Sequence, residues 1–316
     1  MKEIVTIGET MVSFSPSSPG PLRYIRGFES RIAGAESNLA IGAAKLGHTA
    51  AWISALGEDE FGHFVENSIR AEGVDTGCVT YDAFHRTGVM FKQVQAAGET
   101  SVFYYRENSA ASHMTPSMVP ESCFSGAKLF HATGITPVLS RQCLDTLEHC
   151  ISMARENGVL FSFDPNIRKK LWGQQDFSPL ISSLTLRADL VLMGLEEAKA
   201  LFGLAEIPRI MDLLFTKGQA KWAAVKNGAS GAYVSDGTET IFLPPYPCIC
   251  VDPIGAGDAF NAAFLCGILE GKSLDRCGQM AAAAGAMATE TCGDMEGYPT
   301  ASQLNAILKK ERDIYR

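Results

Sequence analysis

The 316-residue chain lacks long apolar runs, clusters of basic residues and any basic excess. No apolar run approaches the ~20 residues that a membrane-spanning helix needs, and the N-terminal apolar stretch is too short for a signal peptide. With 35 acidic and 27 basic residues, the net charge is −8. Nucleic acid and anionic membranes are therefore poor partners. We predict a cytoplasmic protein in which a few placed groups hold the anionic ligands.

Cysteine and histidine patterns disfavour several kinds of site. The nine cysteines are scattered, and Cys248 and Cys250 form a C-x-C pair with no second pair, which is a poor zinc site. We expect these two to be buried or strand-edge thiols in a reducing compartment. The six histidines show no ligand or triad spacing, and Gly-x-Ser-x-Gly is absent. A serine or zinc hydrolase is therefore disfavoured. A nicotinamide-dependent dehydrogenase is also disfavoured, because no Gly-x-Gly-x-x-Gly follows the first predicted strand.

The most informative segment is VDPIGAGDAF, residues 251–260. Phe260, Phe264 and Ile268 recur every four residues, which predicts a buried helix that begins near Ala256. Free N–H groups at a glycine-rich helix start can bind an anion, and Asp258 lies in that first turn. We expect this carboxylate to stay ionised, because the N–H groups and the helix dipole stabilise its charge. An anion site beside a base indicates phosphoryl transfer to a hydroxyl; an ordinary glycine-rich turn is the alternative.

Strand and helix patterns alternate along most of the chain. Apolar runs predict strands at residues 4–8, 51–55, 128–131, 159–163, 190–193 and 222–225. Periodic segments predict helices at residues 39–47, 60–71, 141–156, 196–202, 273–289 and 302–310. This alternation predicts one α/β domain over residues 1–316, with a mostly parallel sheet covered by helices on both faces.

Two other features concern a second sheet and a cleft. Residues 87–94 and 101–106, joined through Gly98, predict a hairpin, and with residues 24–32 it could form a small separate sheet. Polar clusters follow the predicted strands that end near residues 163 and 225. Because ligands of parallel sheets bind beyond the carboxyl ends of the strands, these clusters predict one shared cleft.

Four separated motifs occur in the order found in the ribokinase-like (PfkB) carbohydrate kinases: GAESN at 34–38, DPN at 164–166, KxGxxG at 226–231 and DxxGAGD at 252–258. The chain resembles this family over essentially its whole length. The resemblance implies a three-layer α/β/α fold with a mostly parallel central sheet and a small β-sheet lid from about 10–32 and 86–108. It also implies ATP and Mg²⁺ as cofactors and a sugar as the phosphoryl acceptor.

Within the family, the motifs GE at 8–9, YYR at 104–106 and GDMEG at 293–297 resemble the 2-keto-3-deoxygluconate kinases, which phosphorylate a sugar acid to its 6-phosphate. This implies that Asp258 is the catalytic base and that the amides of residues 255–257 form the anion hole. It implies that the sugar acid contacts Gly34, Asn38, Tyr104, Arg106, Arg168, Asp252 and Asp294. It implies that the nucleotide lies along Asn166, Lys226, Gly228, Gly231, Gly255, Ala256 and Gly257.

Two positions depart from the family pattern. Met90 stands where those kinases often have tyrosine, so one polar contact to the substrate is missing. Gly194 replaces the asparagine of an Asn-x-x-Glu motif, which leaves Glu197 as an indirect contact to magnesium. Magnesium could still arrive bound to ATP and water.

Substrate choice and assembly leave alternatives open. A guanidinium pairs bidentately with a carboxylate, so Arg106 and Arg168 are candidates for binding the acid group of the sugar. Another family member such as a fructokinase, or a nucleotide- or sugar-binding sensor without catalysis, would carry similar motifs. The exposed edge of a lid sheet predicts a homo-oligomer.

Overall fold

The structure is a computed structural model that describes residues 2–94 and 100–309. Its strands are β1 Ile4–Ile7, β2 Met11–Pro16, β3 Phe28–Ala33, β4 Ala50–Gly57, β5 Asp75–Asp82, β6 Val89–Val94, β7 Thr100–Tyr105, β8 Leu129–Thr133, β9 Leu160–Asp164, β10 Leu190–Gly194, β11 Trp222–Lys226, β12 Ala232–Ser235 and β13 Thr240–Leu243. Its α-helices are α1 Ala35–Lys45, α2 Glu60–Ala71, α3 Thr136–Leu139, α4 Arg141–Glu156, α5 Lys169–Trp172, α6 Ser178–Leu186, α7 Leu195–Phe202, α8 Ile207–Asp212, α9 Ala256–Leu269, α10 Leu274–Ala288 and α11 Ala301–Leu308.

A nine-stranded sheet in the order β13-β12-β11-β10-β9-β8-β1-β4-β5 forms the centre of the molecule. The seven strands from β11 to β5 run parallel, and β12 and β13 add an antiparallel edge. Successive side chains of a strand point to opposite faces. Ile4 accordingly packs in one buried cluster with Phe264 of α9, whereas Val5 packs in another with Leu147 of α4. Helices cover both faces, so the predicted three-layer architecture is confirmed.

Most predicted elements of this sheet are present, with ends that differ by one to a few residues. The sequence prediction missed β5, the β12–β13 hairpin and the helices α3, α5, α6 and α8. In β5 the buried Thr76 and Cys78 alternate with exposed Asp75 and Gly77, so no continuous apolar run marks this edge strand. The last predicted helix ends at Leu308, and its predicted final residue, Lys310, lies outside the described residues.

A separate four-stranded sheet has the order β3-β2-β6-β7 and is called the small sheet below. The predicted hairpin is confirmed, because β6 and β7 pair antiparallel; Gly98 between them lies outside the described residues. The strand predicted over 24–32 begins only at Phe28. Met90, the departure from the family pattern, is buried among apolar side chains of the small sheet. Its thioether therefore serves packing in this structure.

The cysteine expectations need two corrections. Cys248 and Cys250 are exposed and lie outside any strand, so their predicted burial is wrong. Cys78 of β5 forms a disulfide with Cys123, although a reducing compartment was expected. Within 2–94 and 100–309, no helix is long and apolar enough to cross a membrane.

Candidate active site

The cleft is organised around the start of α9, which follows Gly255 in a left-handed conformation (φ +81°). A Cβ atom at this position would collide with the carbonyl oxygen of Asp294, so both the dihedral angle and the close approach require glycine. The predicted helix start at Ala256 is confirmed. Gly255, Ala256 and Gly257 thus present the first amides of a buried helix to the cleft.

Asp258 lies in the first turn of α9 and faces the first turns of α1. Asn38 Nδ2 of α1 donates a hydrogen bond of 2.9 Å to Asp258 Oδ2. Gly34 is the N-cap residue of α1, one turn before Asn38. The two glycine-rich motifs, more than two hundred residues apart, therefore meet at one carboxylate.

Burial raises the pKa of Asp258 to about 7, and the nearby charge of Asp164 also raises it. The hydrogen bond from Asn38 and the charges of Lys226 and Arg168 lower this pKa, but they do not offset desolvation. The sequence led us to expect a fully ionised carboxylate; the raised pKa instead leaves part of the population protonated near neutral pH. A carboxylate with a pKa near 7 is well matched to general-base work at that pH.

The predicted role of Asp258 as the base implies that kcat/KM rises with pH through about 7, because a base must lose its proton before it can accept one. Asn38→Ala removes a hydrogen bond that favours the charged form, so the rising limb should move to higher pH. Initial rates between pH 5.5 and 9 measure both profiles. The nucleotide titrates identically in both assays, so an unchanged midpoint in the variant would contradict the assignment of this limb to Asp258.

A charged network lies beneath the cleft, between β9, β11 and α9. Lys226 Nζ donates to Asp164 Oδ2 at 2.8 Å and to Asn261 Oδ1 at 3.1 Å. Asn261 Nδ2 also donates to Asp164 Oδ2 at 2.6 Å. The sequence prediction assigned Lys226 to the nucleotide and gave no role to Asp164 or Asn261. Asn261 stands three residues after Asp258 on one helix face, a spacing that could have revealed it.

A cavity of about 390 Å³ opens beside the glycine-rich turn at the start of α9. It brings together five of the residues predicted to bind the nucleotide: Lys226, Gly228, Gly231, Ala256 and Gly257. Its lining also includes Tyr246, Phe260 and the exposed Cys248 and Cys250. Asn166 lies outside this lining; it is buried at the end of β9 with φ +39°, and its N–H donates to Asp164 Oδ1 at 3.0 Å.

The two arginines predicted to bind the sugar acid differ in their surroundings. Arg106, after β7, forms an ion pair with the buried Glu9 and lies over the Tyr104 ring, 5.7 Å from its centroid. Arg168 is exposed at the N-terminus of α5 and pairs with no acidic side chain in the described part of the chain. Arg168 nevertheless lies close enough to Asp258 to lower the pKa of that carboxyl.

Asp252 and Asp294 hold the loops of the cleft together in this structure. Asp252 accepts hydrogen bonds from the N–H groups of Ile254 and Gly293, at 3.1 and 3.4 Å. Asp294 accepts a 2.7 Å hydrogen bond from Lys92 of the small sheet. The sequence prediction did not single out Lys92. A contact from either aspartate to a sugar stays a prediction.

Two buried glutamates near the end of β1, Glu9 and Glu36, lie in motifs that the sequence analysis quotes, but it gave neither a role. Glu36 Oε1 accepts hydrogen bonds from Thr133 and Thr136 at 2.7 and 3.0 Å, and burial raises the pKa of Glu36. A Cβ atom on Gly8 would collide with the Glu36 carboxyl group. A side chain at position 8 would therefore displace the buried Glu36 carboxyl group, which explains the glycine directly after β1.

The pfkB family carbohydrate kinase model matches residues 1–301 of this chain. The chain belongs to this family of carbohydrate kinases.

Two relatives and one solved structure show how close the kinase is to other members. It is 37% identical to the Bacillus subtilis 2-dehydro-3-deoxygluconokinase, covering 99% of this chain and 98% of the relative. It is 32% identical to the Haloferax volcanii 2-dehydro-3-deoxygalactonokinase, covering 97% and 96%. An Escherichia coli candidate ribokinase II, solved in complex with ATP and Mg²⁺, superposes with a TM-score of 0.91 at 26% identity, covering 98% of this chain and all of that one. These similarities confirm the predicted family, fold and sugar kinase activity.

Magnesium fits this kinase as an ion that arrives with the nucleotide. The described residues contain no group of three or more acidic, histidine or cysteine side chains that could hold a metal. Both oxygens of Glu197 accept backbone N–H groups, from Gly194 at 2.6 Å and from Ile167 at 2.8 Å. Glu197 thus caps α7 in this structure, and an indirect contact from it to magnesium stays a prediction. Magnesium at phosphate sites commonly keeps water ligands and needs few from the protein.

Proposed function

We propose that this kinase transfers a phosphoryl group from ATP, with Mg²⁺, to the 6-hydroxyl of 2-keto-3-deoxygluconate. The observation that carries the proposal is the Asn38–Asp258 contact, which sets a carboxylate with a pKa of about 7 beside the first amides of α9. The acidic sugar is suggested by the relative with 37% identity, a 2-dehydro-3-deoxygluconokinase, which is the same sugar acid under another name.

In this proposal Asp258 accepts the proton of the sugar hydroxyl as its oxygen attacks the γ-phosphorus of ATP. The amides of residues 255–257 stabilise the charge on the transferred phosphoryl oxygens as preorganised donors. Magnesium bound to the nucleotide would neutralise part of the charge on the β- and γ-phosphates. The nucleotide occupies the cavity of about 390 Å³ that Lys226, Gly228, Gly231 and Gly257 help to line.

The sugar carboxylate is recognised in this proposal by Arg168, with Arg106 in support. Arg106 already carries an ion pair with Glu9, and its side chain is only 8% exposed. Arg168 is exposed near Asp258 and has no acidic partner in the described residues, so its guanidinium is available to a bound carboxylate. Gly34, Asn38 and Tyr104 would contact the sugar from α1 and from the small sheet, which would act as the lid.

We expect Arg168→Leu to raise KM for the sugar acid roughly tenfold to a hundredfold, the loss of one charge-assisted interaction. The KM for a neutral sugar such as fructose should change little. Arg106→Lys keeps a cation for Glu9 but loses the planar fork, so a similar but smaller selective effect is expected. The measurement is ADP release with a panel of acidic and neutral sugars.

The same panel separates the alternatives for this kinase. Preference for fructose in the unmodified enzyme, or equal losses on both sugars in Arg168→Leu, would contradict the sugar-acid proposal. No ADP release with any sugar would favour a non-catalytic sensor. Including 2-dehydro-3-deoxygalactonate matters, because the Haloferax volcanii relative is named for that epimer. A cytoplasmic location and a homo-oligomer stay predictions.

A further inference from the structure

A buried ion pair connects the small sheet to the C-terminal part of the body. Lys92 Nζ of β6 lies 2.7 Å from Asp294 Oδ1, and the two side chains are 5% and 9% exposed. A second cation of the small sheet reaches the same loop: Arg31 of β3 forms an ion pair with Glu296 at 3.6 Å and donates a hydrogen bond to the Cys292 carbonyl oxygen. Residues 292–296 are therefore held by two strands of the small sheet.

The same loop touches the anion-binding turn on its other side. The backbone of Asp294 packs so closely against Gly255 that no side chain fits there. The Tyr298 hydroxyl donates a 2.9 Å hydrogen bond to the Gly255 carbonyl oxygen. A continuous set of contacts thus runs from Lys92 through Asp294 to Gly255, the N-cap residue of α9.

We propose that Lys92 and Asp294 are positioning residues, which set the amides of residues 255–257 for phosphoryl transfer when the small sheet covers the cleft. This inference rests on the proposed role of those amides as the anion hole. It assigns a function to a buried lysine that neither the predicted nucleotide site nor the predicted sugar site includes.

The energetics favour such a bridge over an ordinary surface contact. An exposed ion pair contributes about 0–1 kcal/mol and would do little to fix the small sheet against residues 292–296. Lys92 and Asp294 are both almost fully buried, so separating them in place leaves charges without partners unless water enters. The pair is therefore stable either fully closed or fully hydrated. A contact with two such states suits an element that is either closed or open.

The test compares Lys92→Met with Lys45→Met. Lys45 of α1 donates to the Met295 carbonyl at 3.2 Å, so it contacts the same loop from the body and not from the small sheet. Lys92→Met is expected to lower kcat about tenfold to a hundredfold, the cost of misplacing a catalytic group by about 1 Å. KM for ATP should change less than kcat. Lys45→Met should keep kcat within about twofold of the wild-type value.

A measurement that needs no catalysis tests the positioning role without relying on the proposed sugar. Hydrogen–deuterium exchange of a peptide spanning residues 253–260 should be faster in Lys92→Met than in the wild type when ATP analogue and sugar are both present. Wild-type exchange in that peptide would overturn the proposal even if the proposed substrate were correct. If instead 2-keto-3-deoxygluconate is not phosphorylated, the exchange comparison can still be made with any sugar that the enzyme accepts.

The double variant Lys92→Met/Asp294→Asn guards against a simple folding defect. It removes both charges, so no charge is left buried alone and the thermal midpoint should recover relative to Lys92→Met. The kcat value should stay low, because the contact between sheet and loop is still missing. Recovery of wild-type kcat in the double variant would show that the pair only avoids a buried charge, and the positioning role would fall.

Discussion

Replacing Asp258 with asparagine is expected to reduce kcat roughly 10²–10⁴-fold, the usual contribution of a general base. Asparagine has the same shape, and its carbonyl oxygen can still accept the hydrogen bond that Asn38 donates at 2.9 Å. The first amides of α9 are untouched by the change. Binding of ATP and of the sugar, measured by calorimetry, should therefore stay close to the wild-type values.

Asp275→Asn offers a matched control for this variant. Asp275 lies in the first turn of α10, as Asp258 lies in the first turn of α9, but it is exposed and accepts a hydrogen bond from Gln279. The same substitution there should leave kcat unchanged. If Asp258→Asn retained near-wild-type turnover, Asp258 would not be the base.

The removal of the partly buried Asp258 carboxylate also changes stability in a defined direction. The pKa of Asp258 is raised in the folded state from 3.8 to about 7, so the ionised form is disfavoured by folding. The contribution of Asp258 to the free energy of unfolding is most favourable below the pKa of the unfolded state, and it is lost as pH rises through about 7. Asp258→Asn should therefore stabilise the fold more at pH 8 than at pH 5, while it removes activity at both.

Local patterns were sufficient to predict the order of most elements and the position of the glycine-rich turn that begins α9. Ala256 was predicted to begin a helix because small residues precede an apolar four-residue repeat, and both features lie within one segment. The alternation of apolar runs with periodic segments likewise predicted a parallel sheet, because β-α-β units are local. Edge strands such as β5 were not predicted, because polar residues on their exposed face interrupt the apolar run that marks a buried strand.

Contacts between distant segments could not be predicted from local patterns. Lys92 lies in a strand whose sequence, Val89–Val94, shows nothing that requires a buried cation; its partner Asp294 is about two hundred residues away. The charge state of Asp258 was predicted from its helix turn alone. It depends instead on burial by α1 and on Asp164 from β9, which only the folded arrangement brings near.

Substituting Lys226 with methionine is expected to destabilise the protein by about 3 kcal/mol, the lower end of the cost of breaking a buried ion pair. Asp164, 5% exposed, would lose its cation, although hydrogen bonds from Asn261 and from the Asn166 N–H would remain. We expect the lower end of this cost because those two donors remain and because the Lys226 side chain is 18% exposed. Urea unfolding at pH 7 measures the change.

Lys221→Met is the matched control, because Lys221 stands just before β11 and forms a 2.9 Å ion pair with Asp189 while 57% exposed. An exposed pair contributes about 0–1 kcal/mol, so this variant should lose no more than that. Adding Asp164→Asn to Lys226→Met removes the buried charge and should restore part of the stability. Equal losses at Lys221 and Lys226 would mean that water reaches the network freely. In that case the same water would screen Asp258, and its pKa could not be raised by burial.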